Sequence, residues 1–160
     1  MMTCRIIFLD IDGVLHTSSY DDLLSLIGYR RQDEFGAIFS PRSVRNLSRI
    51  VKHTGAHIVL SLNWRHWGSA KVTEMWASRN LPGKLLGVTP RILDKEIGER
   101  GKEIQQWLKE NHLENTKYVI FDDRDDFLPE QKKCFIKTNY RIGILLIDVL
   151  RAVRILKDKS

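Results

Sequence analysis

The sequence predicts an α/β fold, a parallel sheet flanked by helices, on two observations. Short apolar runs rich in β-branched and aromatic residues recur along the chain and end abruptly in polar or turn residues, the pattern of strands buried on both faces. Between the runs lie segments with apolar residues at helical spacing. Strands alternating with helices pair in parallel through right-handed crossovers, which makes a layered sheet.

The first run is Arg5–Leu9, leading into Asp10 and Asp12. From His16 to Phe39 the pattern is mixed, with Tyr20, Asp21, Asp22, Tyr29, Arg30, Arg31 and Gly36. A short helix inside a long excursion is expected there, and excursions of that length are usually functional. Pro41 to His53 places Val44, Leu47, Ile50 and Val51 on one helical face, and Ser40 before Pro41 is an N-cap followed by a first-turn proline. His57–Leu60 is the second run. Val72, Met75 and Trp76 then mark a helix of about ten residues by their spacing. Leu81 to Asp94, with Pro82, Gly83, Gly87 and Pro90, reads as an irregular connection. Gly98 to His112 is helical, with Ile104, Trp107 and Leu108 on one face. Tyr118–Phe121 is the third run and Cys134–Lys137 a weaker fourth, before a last helix, Asp148 to Lys157, that aligns Val149, Val153 and Leu156.

A chain of 160 residues, 42% hydrophobic, buries one sizeable core, so one domain over the whole length is expected. No apolar run approaches the roughly 20 residues of a membrane span, and Arg5 runs into Asp10 without the features of a signal peptide. A cytoplasmic protein is the expectation. Cys4 and Cys134 form neither a disulfide framework nor a metal-ligand pattern and read as buried, reduced thiols. Lys and Arg number 26 against 20 acids, a net charge of +6, and acids gathered at one site would leave the rest of the surface more basic still. That favours a phosphorylated or polyanionic partner.

Ligands of open α/β sheets bind beyond the carboxyl ends of the strands, so the residues following each run are the candidate site. These are Asp10-Ile11-Asp12-Gly13-Val14-Leu15, Ser61-Leu62-Asn63-Trp64-Arg65 and Asp122-Asp123-Arg124-Asp125-Asp126. Parallel strands bring the three clusters to one edge. Carboxylates so gathered repel each other, and a hard divalent cation with oxygen ligands relieves the repulsion; magnesium also leaves positions for a substrate phosphate. Asp10 is then placed to attack phosphorus, and Asp12 to protonate the leaving oxygen and activate water. Ser61 donates to a phosphate oxygen, and a nearby lysine or arginine holds the remaining charge.

These stretches resemble motifs one, two and four of the haloacid dehalogenase-like phosphatases, in order, over roughly Arg5 to Lys137. The resemblance implies a Rossmann-like sheet with a minimal or absent cap, catalysis through an aspartyl-phosphate on Asp10, and Asp12 as acid/base. It further implies magnesium held by Asp10, the backbone carbonyl of Asp12 and Asp123, with Asp122 in support. Ser61-Leu62-Asn63-Trp64-Arg65 and Arg100-Gly101-Lys102-Glu103-Ile104 followed by Trp107-Leu108 are similar to the small phosphatase-like domain of "Swiss Army knife" RNA-repair proteins, which implies action on phosphorylated nucleic-acid ends. Gly13, Ser61, Asn63 and Arg65 are the candidate substrate contacts.

For the motif-three cation Lys95, Arg100 and Lys102 compete. Arg100 and Lys102 rank first, because a cation in the first turn of a helix opposes the dipole unless an anion faces it. A solvated basic turn is the competing reading of either.

Other residues have plainer alternatives. A calcium loop fails as a reading of Asp10-x-Asp12-Gly13, since Val14 and Leu15 follow where further oxygen ligands are needed. Arg65 is a phosphate clamp or a surface residue beside Trp64. Trp64, Trp67 and Trp76 with Lys71 and Arg79 form a stacking surface for bases, or, for Trp76, part of the core. His16, just past the first motif, helps to position substrate or is incidental, and Asp125 and Asp126 read as supporting or solvated acids.

The leading function is thus a magnesium-dependent phosphomonoesterase acting on nucleic-acid ends or nucleotides. A small-metabolite phosphatase whose specificity comes from the His16–Phe39 excursion, and a non-catalytic binding domain, are the alternatives.

Overall fold

The computed structural model describes residues 3–61, 68–92 and 99–159. Strand β1 (Arg5–Leu9) is followed by α1 (Ser18–Leu26), the short strands β2 (Gln32–Asp33) and β3 (Gly36–Ala37), α2 (Pro41–Thr54) and β4 (His57–Leu60). Then come α3 (Gly68–Ser78), β5 (Leu85–Val88), α4 (Glu99–Glu110), β6 (Lys117–Asp122), a 3-10 helix (Pro129–Cys134), β7 (Phe135–Lys137) and α5 (Leu146–Lys157). Five strands form one sheet in the order β5-β4-β1-β6-β7, and every neighbouring pair is parallel. β2 and β3 form a separate antiparallel hairpin.

Alternation along the strands builds the two layers. Ile7, Leu9, Ile58, Leu60, Val119 and Phe121 turn to one face and pack with Leu47 and Ile50 of α2, Met75 and Trp76 of α3, and Val149 and Leu156 of α5. Ile6, Phe8, Val59 and Ile120 turn to the other, against Ile104, Trp107 and Leu108 of α4. Phe8 meets the Trp107 ring edge-on with centroids 5.7 Å apart. Burial on both faces is why these strands read as unbroken apolar runs. Each such side chain contributes about 1.5–3 kcal/mol by leaving water.

The expected parallel α/β architecture is the one found, with helices close to the expected bounds. Trp76 lies in the core, with its Nε1 donating to the Gly83 carbonyl at 3.2 Å. Two segments differ from expectation. Leu81 to Asp94 contains an edge strand, β5, which among the described residues pairs only with β4 and with a register shift between Ile58 and Val59. The excursion after β1 holds the expected short helix, α1, and also the β2–β3 hairpin, whose turn is closed by the Phe35 amide donating to Asp33 Oδ1 at 2.8 Å. Cys4 and Cys134 are unpaired and half-buried rather than buried. Among the described residues no helix is long and apolar enough to cross a membrane.

Candidate active site

Register sets the floor of the site. Leu9 lies opposite both Leu60 and Phe121 across the β1–β4 and β1–β6 pairs, so the next residues, Asp10, Ser61 and Asp122, end three adjacent strands side by side. The ladder continues through them, with Asp10 N–H donating to the Phe121 carbonyl at 3.0 Å and Ser61 N–H to the Leu9 carbonyl at 2.9 Å. By the two-residue alternation, all three follow Phe8, Val59 and Ile120 onto the face that carries α4. They are 4%, 1% and 1% exposed, so the polar groups stand at the dry end of a hydrophobic layer.

The start of α4 supplies the countercharge. Arg100, in its first turn, is 6% exposed; its Nη1 bonds to Asp122 Oδ2 and lies 3.6 Å from Asp10 Oδ2 and 3.4 Å from the Ser61 carbonyl. A cation opposes the dipole there, and two buried carboxylates outweigh that cost. Asp126 completes the helix start, accepting from the Arg100 amide at 3.4 Å through Oδ2 and from the Gly101 amide at 3.2 Å through its carbonyl. A side chain at Gly101 would have its Cβ 2.3 Å from Gln131 Oε1, so glycine lets the helix start approach this loop. Asp125 instead pairs with Lys132 at the surface.

Arg100 does not neutralise the floor. Asp10, Asp122 and Asp123 each offer a carboxylate oxygen within 4.8 Å of the others. Burial, then the Asp122 charge, pushes the Asp10 carboxyl up to about 8, against the pull of Arg100 and the Ile11 amide. Burial raises Asp122 to about 6 although Arg100 and the Arg124 amide oppose it. Asp10 and Asp122 in turn raise the Arg100 guanidinium despite its burial, so it stays charged. Asp122 spends one oxygen on Arg100 and the other on the Arg124 amide, 2.9 Å away. Asp123 carries neither bond and lies against Gly13, where a Cβ would fall 2.8 Å from its Cγ. Gly13, at φ +79°, is thus required both by its backbone conformation and by the space Asp123 takes. An all-oxygen donor set with surplus negative charge suits a hard divalent cation.

Two further groups face an anion. The Ser61 hydroxyl and Arg100 Nη2 are both buried without a hydrogen-bond partner among the described residues. Unmet donors that deep in a native site call for a ligand that accepts.

Asp12 stands beside the floor. Its carboxylate is outside the three-carboxylate group and 42% exposed, and Oδ1 meets His16 Nδ1 at 3.0 Å. His16 is thus held against Asp12; the chain folds back from Asp12 so that the Gly13 amide donates to the His16 carbonyl at 2.8 Å. Thr138, after β7, holds the same turn by donating to the Gly13 carbonyl at 2.8 Å. Among the candidates for motif three, Arg100 reaches the carboxylates, whereas Lys102 lines a separate groove with Ile92, Gln105 and Gln106. Lys95, Asn63, Arg65, Trp64 and Trp67 lie outside the described residues. Arg79, just after α3, binds Asp33 through two nitrogens, at 3.1 and 2.6 Å, and stacks on the Phe39 ring at 4.4 Å, tying α3 to the hairpin.

No curated protein and no solved structure gives a significant match to the chain. A family model does: that of the HAD domain in Swiss Army Knife RNA repair proteins, over residues 6–149 of the 160. With that span covering both the carboxylate floor and the start of α4, the chain belongs to this family, within the haloacid dehalogenase-like phosphatase superfamily.

Proposed function

We propose that the chain is a magnesium-dependent phosphomonoesterase that forms an aspartyl-phosphate on Asp10. The observation that carries this is the meeting of Asp10, Asp122 and Asp123 with the Ser61 hydroxyl and Arg100 Nη2, both without a partner among the described residues, at the tips of β1, β4 and β6. Asp10, Asp123 and the Asp12 carbonyl would hold the magnesium ion, with Asp122 supporting them. When bound, it neutralises the charge that otherwise keeps phosphate from a carboxylate nucleophile.

The chain's own groups do the rest. An Asp10 oxygen attacks phosphorus as the ester P–O bond breaks, and Asp12 gives its proton to the departing oxygen. Ser61 Oγ and Arg100 Nη2 donate to the phosphoryl oxygens as charge builds on them. The Asp12 carboxylate then takes a proton from water, the hydroxide attacks phosphorus, and the P–O bond to Asp10 breaks to free phosphate. Asp10 is restored as a carboxylate and Asp12 as an acid.

The substrate of this reading is a phosphate at the end of a nucleic-acid strand. The basic excess supports it, as do the exposed Arg124 next to Asp123 and the family's description as a domain of RNA repair proteins.

Phosphate release from an aryl phosphate, a mononucleotide and the matching end-phosphorylated oligonucleotide tests both parts. Turnover is expected to need magnesium and to vanish in Asp10→Asn; full activity of that variant removes Asp10 as nucleophile. The oligonucleotide is expected to be the better substrate, with an advantage that shrinks as salt rises. Equal efficiency on both nucleotides at low salt favours the small-metabolite reading.

A further inference from the structure

The charge of the chain is unevenly placed. α2 exposes Arg42, Arg45, Arg49 and Lys52, three or four residues apart and so on one side of the helix, and it contains no acid. α5 exposes Arg151, Arg154 and Lys157 at similar spacing, and its one acid, Asp148, is buried and accepts from the Leu145 amide at 2.9 Å. Seven cations against one acid put +6 on these two helices, which is the net charge of the whole chain. The rest of the sequence balances to zero.

Packing turns the two stripes into one face. Both helices cover the same side of the sheet, with Leu47 and Ile50 of α2 in one core cluster with Val149 and Leu156 of α5. Their N-terminal ends are tied through Ile144, whose amide donates to Ser43 Oγ at 3.3 Å and whose carbonyl accepts from Asn46 Nδ2 at 2.8 Å. Their C-terminal ends are tied through Arg5, which donates to the Leu156 carbonyl at 2.9 Å and to the Thr54 carbonyl at 3.1 Å. Helices pinned together at both ends run side by side, about 8–10 Å apart. The α2 stripe, ten residues from Arg42 to Lys52, extends about 15 Å.

Of the seven cations, and among the described residues, only Arg151 approaches a carboxylate, that of Asp148, at 3.9 Å. Across the sheet α4 is different, mixing Glu99, Lys102, Lys109 and Glu110. Interspersed signs are the ordinary state of a surface helix, so a helix pair of one sign fits a partner rich in negative charge. Five of the seven are arginine, whose planar fork takes two oxygens of one phosphate. Two long rows suit a flexible chain of evenly spaced phosphates. A lipid surface would be matched at one end only, because the exposed Leu146, Ile147 and Leu150 gather at the start of α5 and do not continue along the rows. A Cβ on Gly143 would clash with Ser43 Oγ and the Val14 carbonyl, so the N-terminal end of the face adjoins the loop that follows Asp10.

We propose that the α2–α5 face binds the phosphate backbone of a nucleic-acid strand, as a surface separate from the carboxylate floor. Contacts to phosphates alone position a strand and carry no base sequence. The proposal does not depend on the phosphatase reading, since it involves no phosphate monoester.

Fluorescence anisotropy with an internally labelled uridine oligonucleotide that has hydroxyls at both ends, in the absence of magnesium, tests this. The chain is expected to bind it, with log Kd rising against log salt at a slope of about 3, as for roughly four neutralised phosphates. Arg45→Glu with Arg154→Glu, one from each row, is expected to weaken binding by about tenfold or more and to lower that slope by about 1.4. Arg45→Gln with Arg154→Gln, which removes charge without reversing it, is expected to give a smaller loss of the same kind. Lys102→Glu with Lys109→Glu makes the same charge change on α4 and is expected to weaken binding by less than about threefold, because salt screens charges on the far side. Equal losses in the α2–α5 and α4 reversals, no binding at low salt, or tighter binding to phosphatidylserine vesicles than to the oligonucleotide overturns the proposal. The phosphatase reading fails separately, if the unmodified chain with magnesium releases no phosphate from any monoester.

Discussion

The tips of β1, β4 and β6 and the excursion between residues 17 and 39 are built in opposite ways. At the tips, Leu9, Leu60 and Phe121 are 0% exposed and each polar residue is fixed by two neighbouring strands. In the excursion Leu26, Ile27 and Tyr29 are 84%, 64% and 56% exposed, and the hairpin strands are two residues each. Phe35 and Phe39 reach the core, and the other anchors are side-chain contacts: Arg79 on Asp33 and Phe39, Arg31 on Asp21, and the Ser19 hydroxyl on the Arg141 carbonyl. Reaction chemistry demands fixed positions in a dry setting, which a central sheet supplies. The excursion, with its exposed apolar side chains and two-residue strands, supplies no such setting.

The largest effect should come from removing the floor's countercharge. Arg100→Ala is expected to lower turnover of an aryl phosphate by about 10²–10³. It also leaves Asp10 and Asp122 uncompensated, a loss of about 3–5 kcal/mol without divalent cation. Lys102→Ala is expected to stay within about threefold of the unmodified protein. Comparable losses in the two variants would mean that the Arg100 contacts with Asp10 and Asp122 do not matter to the reaction.

A second test uses pH, because the two regions respond with opposite sign. Asp10 and Asp122 rise from 3.8 to about 8 and about 6, so the folded chain holds protons that the unfolded chain has already released. Their contribution therefore weakens stability as pH climbs from about 4 to 8 without metal. Asp33 behaves the other way: burial pushes it up, but the Arg79 bonds and the Phe35 amide outweigh this and hold it below 3.8. Its contribution is present above that value and is lost as pH falls through the lowered one. Added magnesium is thus expected to raise the melting temperature more at pH 8 than at pH 5. In the Asp10→Asn protein this pH dependence should shrink. A magnesium effect equal at both pH values would argue against a shared cation site on these carboxylates.

The smallest effect on catalysis should come from loosening the excursion. Arg79→Ala is expected to cost about 1.5–3 kcal/mol of stability through its charged hydrogen bonds. Turnover of a small aryl phosphate should stay within about threefold, because none of its partners lies on the floor. A loss as large as that of Arg100→Ala would show that floor and excursion act as one unit.

The edge strand β5 looks irregular in sequence because Pro82, Gly83 and Pro90 flank it and Gly87 lies within it, and among the described residues it pairs on one side only. Its strand character comes from hydrogen bonds to β4 and not from its own composition. The hairpin left a fainter trace in Asp33-Glu34-Phe35-Gly36, turn residues at the two ends of an Asx-type turn. His16 left one too, four residues beyond Asp12.

What the sequence determined by itself is the set of strands and what stands at their ends. Unbroken apolar runs can be satisfied only between two covering layers, and a polar residue placed directly after such a run must fall at the sheet's edge. Asp10, Ser61 and Asp122-Asp123 follow from that local rule. The tertiary structure decided which cation meets them. Arg100 and Lys102 share one helical turn but point about 200° apart around the axis, so the rotation of α4 against Ile6, Phe8, Val59 and Ile120 chooses between them. It likewise decided that Asp12 meets a histidine at the mouth of a cavity, since the walls of that cavity come from a helix and a hairpin that acquire their places only by packing.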